Sequence, residues 1–199
     1  MAGGGTTGII SPMKKLSRTL QNASPGWVAL LALLMFLVFT ATVLPEQSRQ
    51  AEQASADAET PDLSLWYTPA ELYNMAESYG PEGRQAYIRA RFTFDVAWPL
   101  VYGFFLVTSI SWLFGKGFPK DSPWQLANLV PLAAMALDFL ENISTSIVMA
   151  RYPAETPLIA ALAPVFTALK WVLVGGSFVL LIVGVVAAVV AGIKNRRSR

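Results

Sequence analysis

Four apolar stretches constrain this chain before anything else does. They occupy residues 26–44 (GWVALLALLMFLVFTATVL), about 93–114 (TFDVAWPLVYGFFLVTSISWLF), 126–150 and 158–193. A bilayer is crossed by about 20 helical residues, and a helix satisfies its own backbone where no water reaches. The pattern predicts an all-α integral membrane protein, a four-transmembrane-helix bundle. Composition agrees: 54% of the 199 residues are hydrophobic and 14% charged, where a soluble domain carries about 25% charged residues. The fourth stretch would run about 54 Å as a helix, against about 30 Å of hydrocarbon, so it must tilt, protrude or bend.

The first stretch has a competing reading as a cleaved leader. Its apolar region exceeds that of a secretory signal, and the nearest A-x-A sequence, at 54–56, lies well beyond it. It is therefore expected to stay as a span. Positive charge sets the expected orientation. Lys14, Lys15 and Arg18 precede the first span, Lys116 and Lys120 lie between the second and third, and KNRRSR ends the chain. The opposite side holds the acidic segment 46–82 and the turn RYPAETP. Both termini are expected in the cytoplasm, in a multi-pass protein of the plasma membrane. The Gly/Thr-rich head suggests a disordered tail over 1–25, followed by one membrane domain over 26–199.

The chain has no cysteine and no histidine. Disulfides, thiolate or imidazole metal sites and histidine acid–base catalysis are thereby excluded. No phosphate loop or dinucleotide fingerprint is present, and a net charge of +2 without a basic aromatic patch speaks against nucleic acid. No cofactor, metal or catalytic residue is expected. The expected partners are the lipid bilayer and either a second copy or another membrane protein. The N-x-S sequons at Asn22 and Asn142 fall in the cytoplasm and inside a span under this topology, and are read as incidental.

Between the first two spans, residues 45–62 are expected as a helix extension or a linker, and about 63–92 as an extracytoplasmic helical hairpin. YTPAEL is a capping box: Thr68 at the N-cap, Pro69 in the first helical position, Glu71 reaching back, with Tyr67 and Leu72 as the hydrophobic staple. Gly80 and Pro81 end that helix. PEGRQAYIRARFTF reads as a second helix running unbroken into the second span. Trp66, Tyr67, Tyr73, Tyr79 and Tyr87 are expected to anchor at the headgroup level.

Polar residues inside the spans carry the functional reading. Asp138, Glu141, Asn142 and Thr145 stand at i, i+3, i+4 and i+7, one face of one helix. Asp95, Tyr102 and Ser109 form a matching stripe on the second span. Pro99, four residues after Asp95, frees the Asp95 carbonyl from its helical bond. Lys170, with Thr167 and Ser177 near its face, is the one base expected at mid-depth, to pair with Asp138 or Glu141. Arg91 can reach Asp95 along its own helix. An ionised group in hydrocarbon costs about 2.5–3.5 kcal/mol on insertion scales, and such groups often mark ion or substrate paths. Three acids against one mid-depth base and one boundary base leave an acid to be balanced by a proton, a cation or a cationic ligand.

The candidate ligand or ion site is therefore Asp95, Tyr102, Asp138, Glu141, Asn142 and Lys170. The competing reading makes the same seam internal packing in a structural or assembly subunit. A carboxylate enzyme built on Asp138 and Glu141 is the weakest reading, since no nucleophile accompanies them. Separately, Gly184, Ala188 and Gly192 stand four apart and predict close helix packing, within the bundle or between copies.

Overall fold

A computed structural model describes residues 5–46, 49, 61 and 64–197. Among these there is no strand, and seven α-helices carry the structure. They are α1 (Gly5–Ala23), α2 (Gly26–Thr42), α3 (Pro69–Ser78), α4 (Gly80–Arg91), α5 (Phe94–Gly117), α6 (Val130–Arg151) and α7 (Pro157–Arg197), with a 3-10 segment at Pro123–Leu129 before α6. Four stretches are long and apolar enough to cross a membrane: Gly26–Glu46, Gly80–Gly117, Pro123–Arg151 and Pro157–Arg197. Most of the segment expected at 45–62 lies outside the described residues.

Why these helices suit lipid is visible in which side they hide. On α2, Ala29 and Ala32 are buried, while Trp27, Leu30, Leu31, Leu34 and Val38 are all more than half exposed. On α7 the same holds for Val172, Val179, Ile182 and Val186. Small residues inward and large apolar ones outward is the reverse of a water-soluble helix, whose apolar stripe faces the core. So much contiguous apolar surface points to a membrane-spanning protein.

The chain groups into two compact units. Unit 1 is Met1–Phe36, Gly103–Leu132 and Val174–Arg199; unit 2 is Leu37–Tyr102 and Ala133–Leu173. In unit 1, Phe36 of α2 stacks on Phe105 of α5 with centroids 4.8 Å apart. Glycines set the other distances. A Cβ on Gly117 would meet the Ala187 Cβ at 2.7 Å, and one on Gly184 would meet the Phe114 ring at 2.8 Å. Of the expected packing stripe, Gly184 lies on Phe114 and the Ala188 nitrogen lies by Gly117, whereas a Cβ on Gly192 would meet nothing.

Unit 1 also holds α1, where the sequence suggested a disordered tail over 1–25. Polar anchoring explains the helix. Ser17 Oγ donates to the Gln125 carbonyl at 2.7 Å, and Gln21 Nε2 donates to Gln125 Oε1 at 2.7 Å. Asn128 Nδ2 donates to the Ser17 carbonyl at 3.1 Å and to Ser111 Oγ at 2.9 Å. Gln125 Nε2 in turn lies 3.1 Å from the carbonyls of Phe114, Phe118 and Pro119, which ties the 3-10 segment to the end of α5. The third span begins as 3-10 rather than α at 126–129. Pro131 has no N–H to give the Ala127 carbonyl, so the regular ladder starts after it.

In unit 2 the capping box is present: Thr68 N donates to Glu71 Oε2 at 2.6 Å, and Glu71 N donates to Thr68 Oγ1 at 3.2 Å. Gly80 sits at φ +62°, the left-handed conformation that stops α3 and that glycine adopts without Cβ strain. Between α4 and α5 the expected continuity is interrupted at Phe92 and Thr93. The Thr93 hydroxyl donates to the Arg89 carbonyl at 2.8 Å, so that a side chain takes an acceptor of the ladder. Three of the five aromatics expected at the headgroup level are buried in the protein instead. Tyr67, Tyr79 and Tyr87 are buried in one cluster with Leu72, Met75, Val148, Met149 and Ala163. Tyr73 OH accepts from Thr156 N at 2.6 Å, and Arg84 lies over the Tyr152 ring at 5.0 Å. Of the five, Trp66 is the one left clearly outside, at 61% exposure.

Candidate functional site

The polar residues of unit 2 come together on four helices. The 3.6-residue repeat puts Asp138, Glu141 and Asn142 on one face of α6, and all three are buried. From α7, Lys170 Nζ lies 2.5 Å from Glu141 Oε2. Both side chains are almost wholly withdrawn from solvent, at 7% and 2% exposure, so the pair acts in a low dielectric. Lys170 also sits 5.0 Å from the centre of the Trp171 ring, a cation–π contact.

Asp138 is met differently. Tyr102 of α5 donates its hydroxyl to Asp138 Oδ2 at 3.0 Å, and Asn142 Nδ2 lies 3.4 Å from Asp138 Oδ1. The same amide donates to the Asp95 carbonyl at 3.3 Å. That carbonyl is the acceptor Pro99 leaves without its helical donor, so a proline on α5 creates the bond that joins it to α6. At the start of α5, Arg91 NH1 lies 2.8 Å from Asp95 Oδ2, and the guanidinium lies 4.4 Å over the Tyr87 ring. One turn on along α6, Thr145 returns its hydroxyl to the Glu141 carbonyl at 3.0 Å.

All six sequence-derived residues, Asp95, Tyr102, Asp138, Glu141, Asn142 and Lys170, thus fall in one unit. Glu141 and Lys170 form one pair; Asp95, Tyr102, Asp138 and Asn142 form a chain of hydrogen bonds. Ser109 and Ser177 belong to the residues of unit 1. Two members escaped the sequence reading as site neighbours. Tyr67 reaches Thr167 with 3.2 Å between hydroxyl oxygens, one turn from Lys170, and Tyr87 backs Arg91. The second has a signal in its i, i+4 spacing; the first has none, because the contact spans 100 positions.

Chemically the seam holds three carboxylates, one guanidinium and one ammonium, one more acid than base. Among the described residues no group of three or more His, Cys, Asp and Glu is arranged to hold a metal ion. Fold and seam together describe a helical protein with four membrane-length segments and a buried ionisable cluster. No family model, curated protein or solved structure matches the chain.

Proposed function

We propose that this chain is a multi-pass protein of the plasma membrane whose buried seam binds and exchanges a proton or a small cationic ligand at Asp138 and Glu141. In this reading α2, α5, α6 and α7 form a transmembrane bundle with both termini in the cytoplasm, and α3 and α4 cap it outside. The carrying observation is the joint burial of Asp138, Glu141 and Lys170, with Lys170 Nζ 2.5 Å from Glu141 Oε2. Ionisable groups buried among membrane-length helices are expensive, and such groups often mark ion or substrate paths. Lys170 is the internal counter-ion of Glu141; an incoming cation competes with it. Tyr102 and Asn142 hold the Asp138 carboxyl in place.

A second reading makes the chain a structural or assembly subunit with the seam as internal packing. It is favoured by the withdrawal of Glu141, whose residue exposure is 1%, and by contacts within the chain to each of the three carboxylates. Infrared difference spectroscopy on the protein in lipid nanodiscs separates the two. Exchange requires a carboxyl band that titrates across the physiological pH range and is lost in Asp138→Asn or Glu141→Gln while the fold survives. A seam that titrates nowhere in that range, with variants that lose only stability, overturns the exchange reading in favour of packing.

A further inference from the structure

The N-terminal helix has three faces, and one has nothing in the seam to explain it. Ser17, Gln21 and Ser24, at i, i+4 and i+7, include the face docked on the 3-10 segment, with Ser17 at 1% exposure. Met13 and Leu16 stand one turn apart and are 42% and 48% exposed. Lys14, Lys15 and Arg18 occupy the remaining arc, all exposed. Lys14 and Arg18 line a small cleft with Lys120 and the serines Ser17 and Ser122. Arg18 shares its charge with Asp121 across 3.2 Å, leaving the two lysines to dominate.

Two features say what covers this face. α1 ends at Ala23 and α2, a membrane-length helix, begins at Gly26, so α1 lies within a turn of chain from hydrocarbon if α2 crosses. Trp27 and Trp124 of the same unit are 69% and 52% exposed, and Trp112 lies 5.5 Å under Lys116. Tryptophan and lysine together are the side chains of a bilayer boundary. Unit 1 carries nine of the fifteen Lys and Arg and one of the thirteen Asp and Glu, a charge that complements an anionic leaflet.

We infer that α1 is an interfacial helix that docks on an anionic phospholipid surface, with Met13 and Leu16 entering the acyl boundary and Lys14, Arg18 and Lys120 contacting headgroup phosphates. The inference rests on the membrane reading above, because without a bilayer at α2 there is no surface beside α1.

The test uses the full-length protein in nanodiscs of pure phosphatidylcholine or of an equal mixture with phosphatidylglycerol, reading hydrogen–deuterium exchange over 12–23. The expected result is exchange several-fold slower in the mixture, with the slowing removed by Lys14→Gln/Lys120→Gln and weakened for the unaltered chain in high salt. Equal exchange in the two nanodiscs overturns the inference. So does equal slowing by inorganic phosphate added to pure phosphatidylcholine, which would mark a site for a free anion. Alkaline extraction of native membranes keeps the failures apart. Release of the protein refutes the membrane reading itself, whereas retention without lipid dependence refutes only the role of α1.

Discussion

The two units meet the same difficulty, polar groups among apolar helices, with opposite chemistry. In unit 1 every described charged side chain is exposed, and the buried polar residues are neutral: Ser17, Ser111, Gln125 and Asn128 among them. In unit 2, Arg91, Asp138, Glu141 and Lys170 are buried. The neutral set serves backbone: Gln125 closes the end of α5 and Asn128 holds α1. Each such bond is worth about 1 kcal/mol net, and a group left unmet costs about 1–3 kcal/mol. The ionisable set serves itself, each group meeting a partner on another turn or another helix. Neutral amides suffice to close loops and helix ends. Buried ions make the arrangement of helices all-or-none, because losing one partner strands a charge.

The largest effect tests that contrast directly. Lys170→Met leaves Glu141 buried without its ammonium and is expected to lower stability by about 3–5 kcal/mol, the usual consequence of breaking one side of a buried pair. Lys170→Met/Glu141→Gln removes both charges and is expected to recover most of the loss. Chemical unfolding in detergent micelles, followed by circular dichroism, reads both. If the double variant is as unstable as the single one, charge is not what holds this part of unit 2, and the contrast between the units fails.

A smaller effect belongs to unit 1, where close approach replaces charge. Gly117→Ala would drive a methyl to 2.7 Å from the Ala187 Cβ, with backbone atoms at 3.0 Å that cannot swing aside. The expected cost is about 1–3 kcal/mol, as for other overpacked contacts. Gly192→Ala meets nothing within 4 Å and removes a glycine from a helix interior, so it is expected to gain about 0.5–1 kcal/mol. Unfolding midpoints of the two variants in the same detergent should move in opposite directions. A shared sign would mean that the stripe on α7 is not divided as the distances indicate.

What was legible in the sequence follows the same division. The four membrane-length helices and the capping box at Thr68 could be read because periodicity and local spacing encode them. The seam residues could be gathered for the same reason: acids three and four apart on α6, a proline four after Asp95, one lysine on α7. The pairing of Lys170 with Glu141 rather than Asp138 needed coordinates, since both acids share a face. α1 was missed because its anchors, Gln125 and Asn128, are neutral residues more than 100 positions away and leave no pattern. The tyrosines between residues 67 and 87 misled for a related reason. An aromatic near a span reads the same whether it faces headgroups or, like Tyr67 at 2% exposure, a neighbouring helix.

The smallest expected effect concerns a charge of unit 2 that is not buried, and it sharpens the comparison from the other side. Glu71 is fully exposed, yet its carboxyl is held below the ordinary value of 4.5, first by the Thr68 backbone N–H and then by the Thr68 hydroxyl, both donating to it. The folded value is depressed, so the stabilisation is complete above 4.5 and is lost as pH falls through the lower folded value. The start of α3 should therefore loosen in acid, while Glu71→Gln should remove the pH dependence there and keep a weaker cap. The amide chemical shift of Thr68, followed by NMR in micelles, reads the titration at the bond concerned. A Thr68 amide that ignores pH down to and below 4.5 would show that the reciprocal bond does not hold in solution. It would leave the buried pairs as the ionised side chains that organise unit 2.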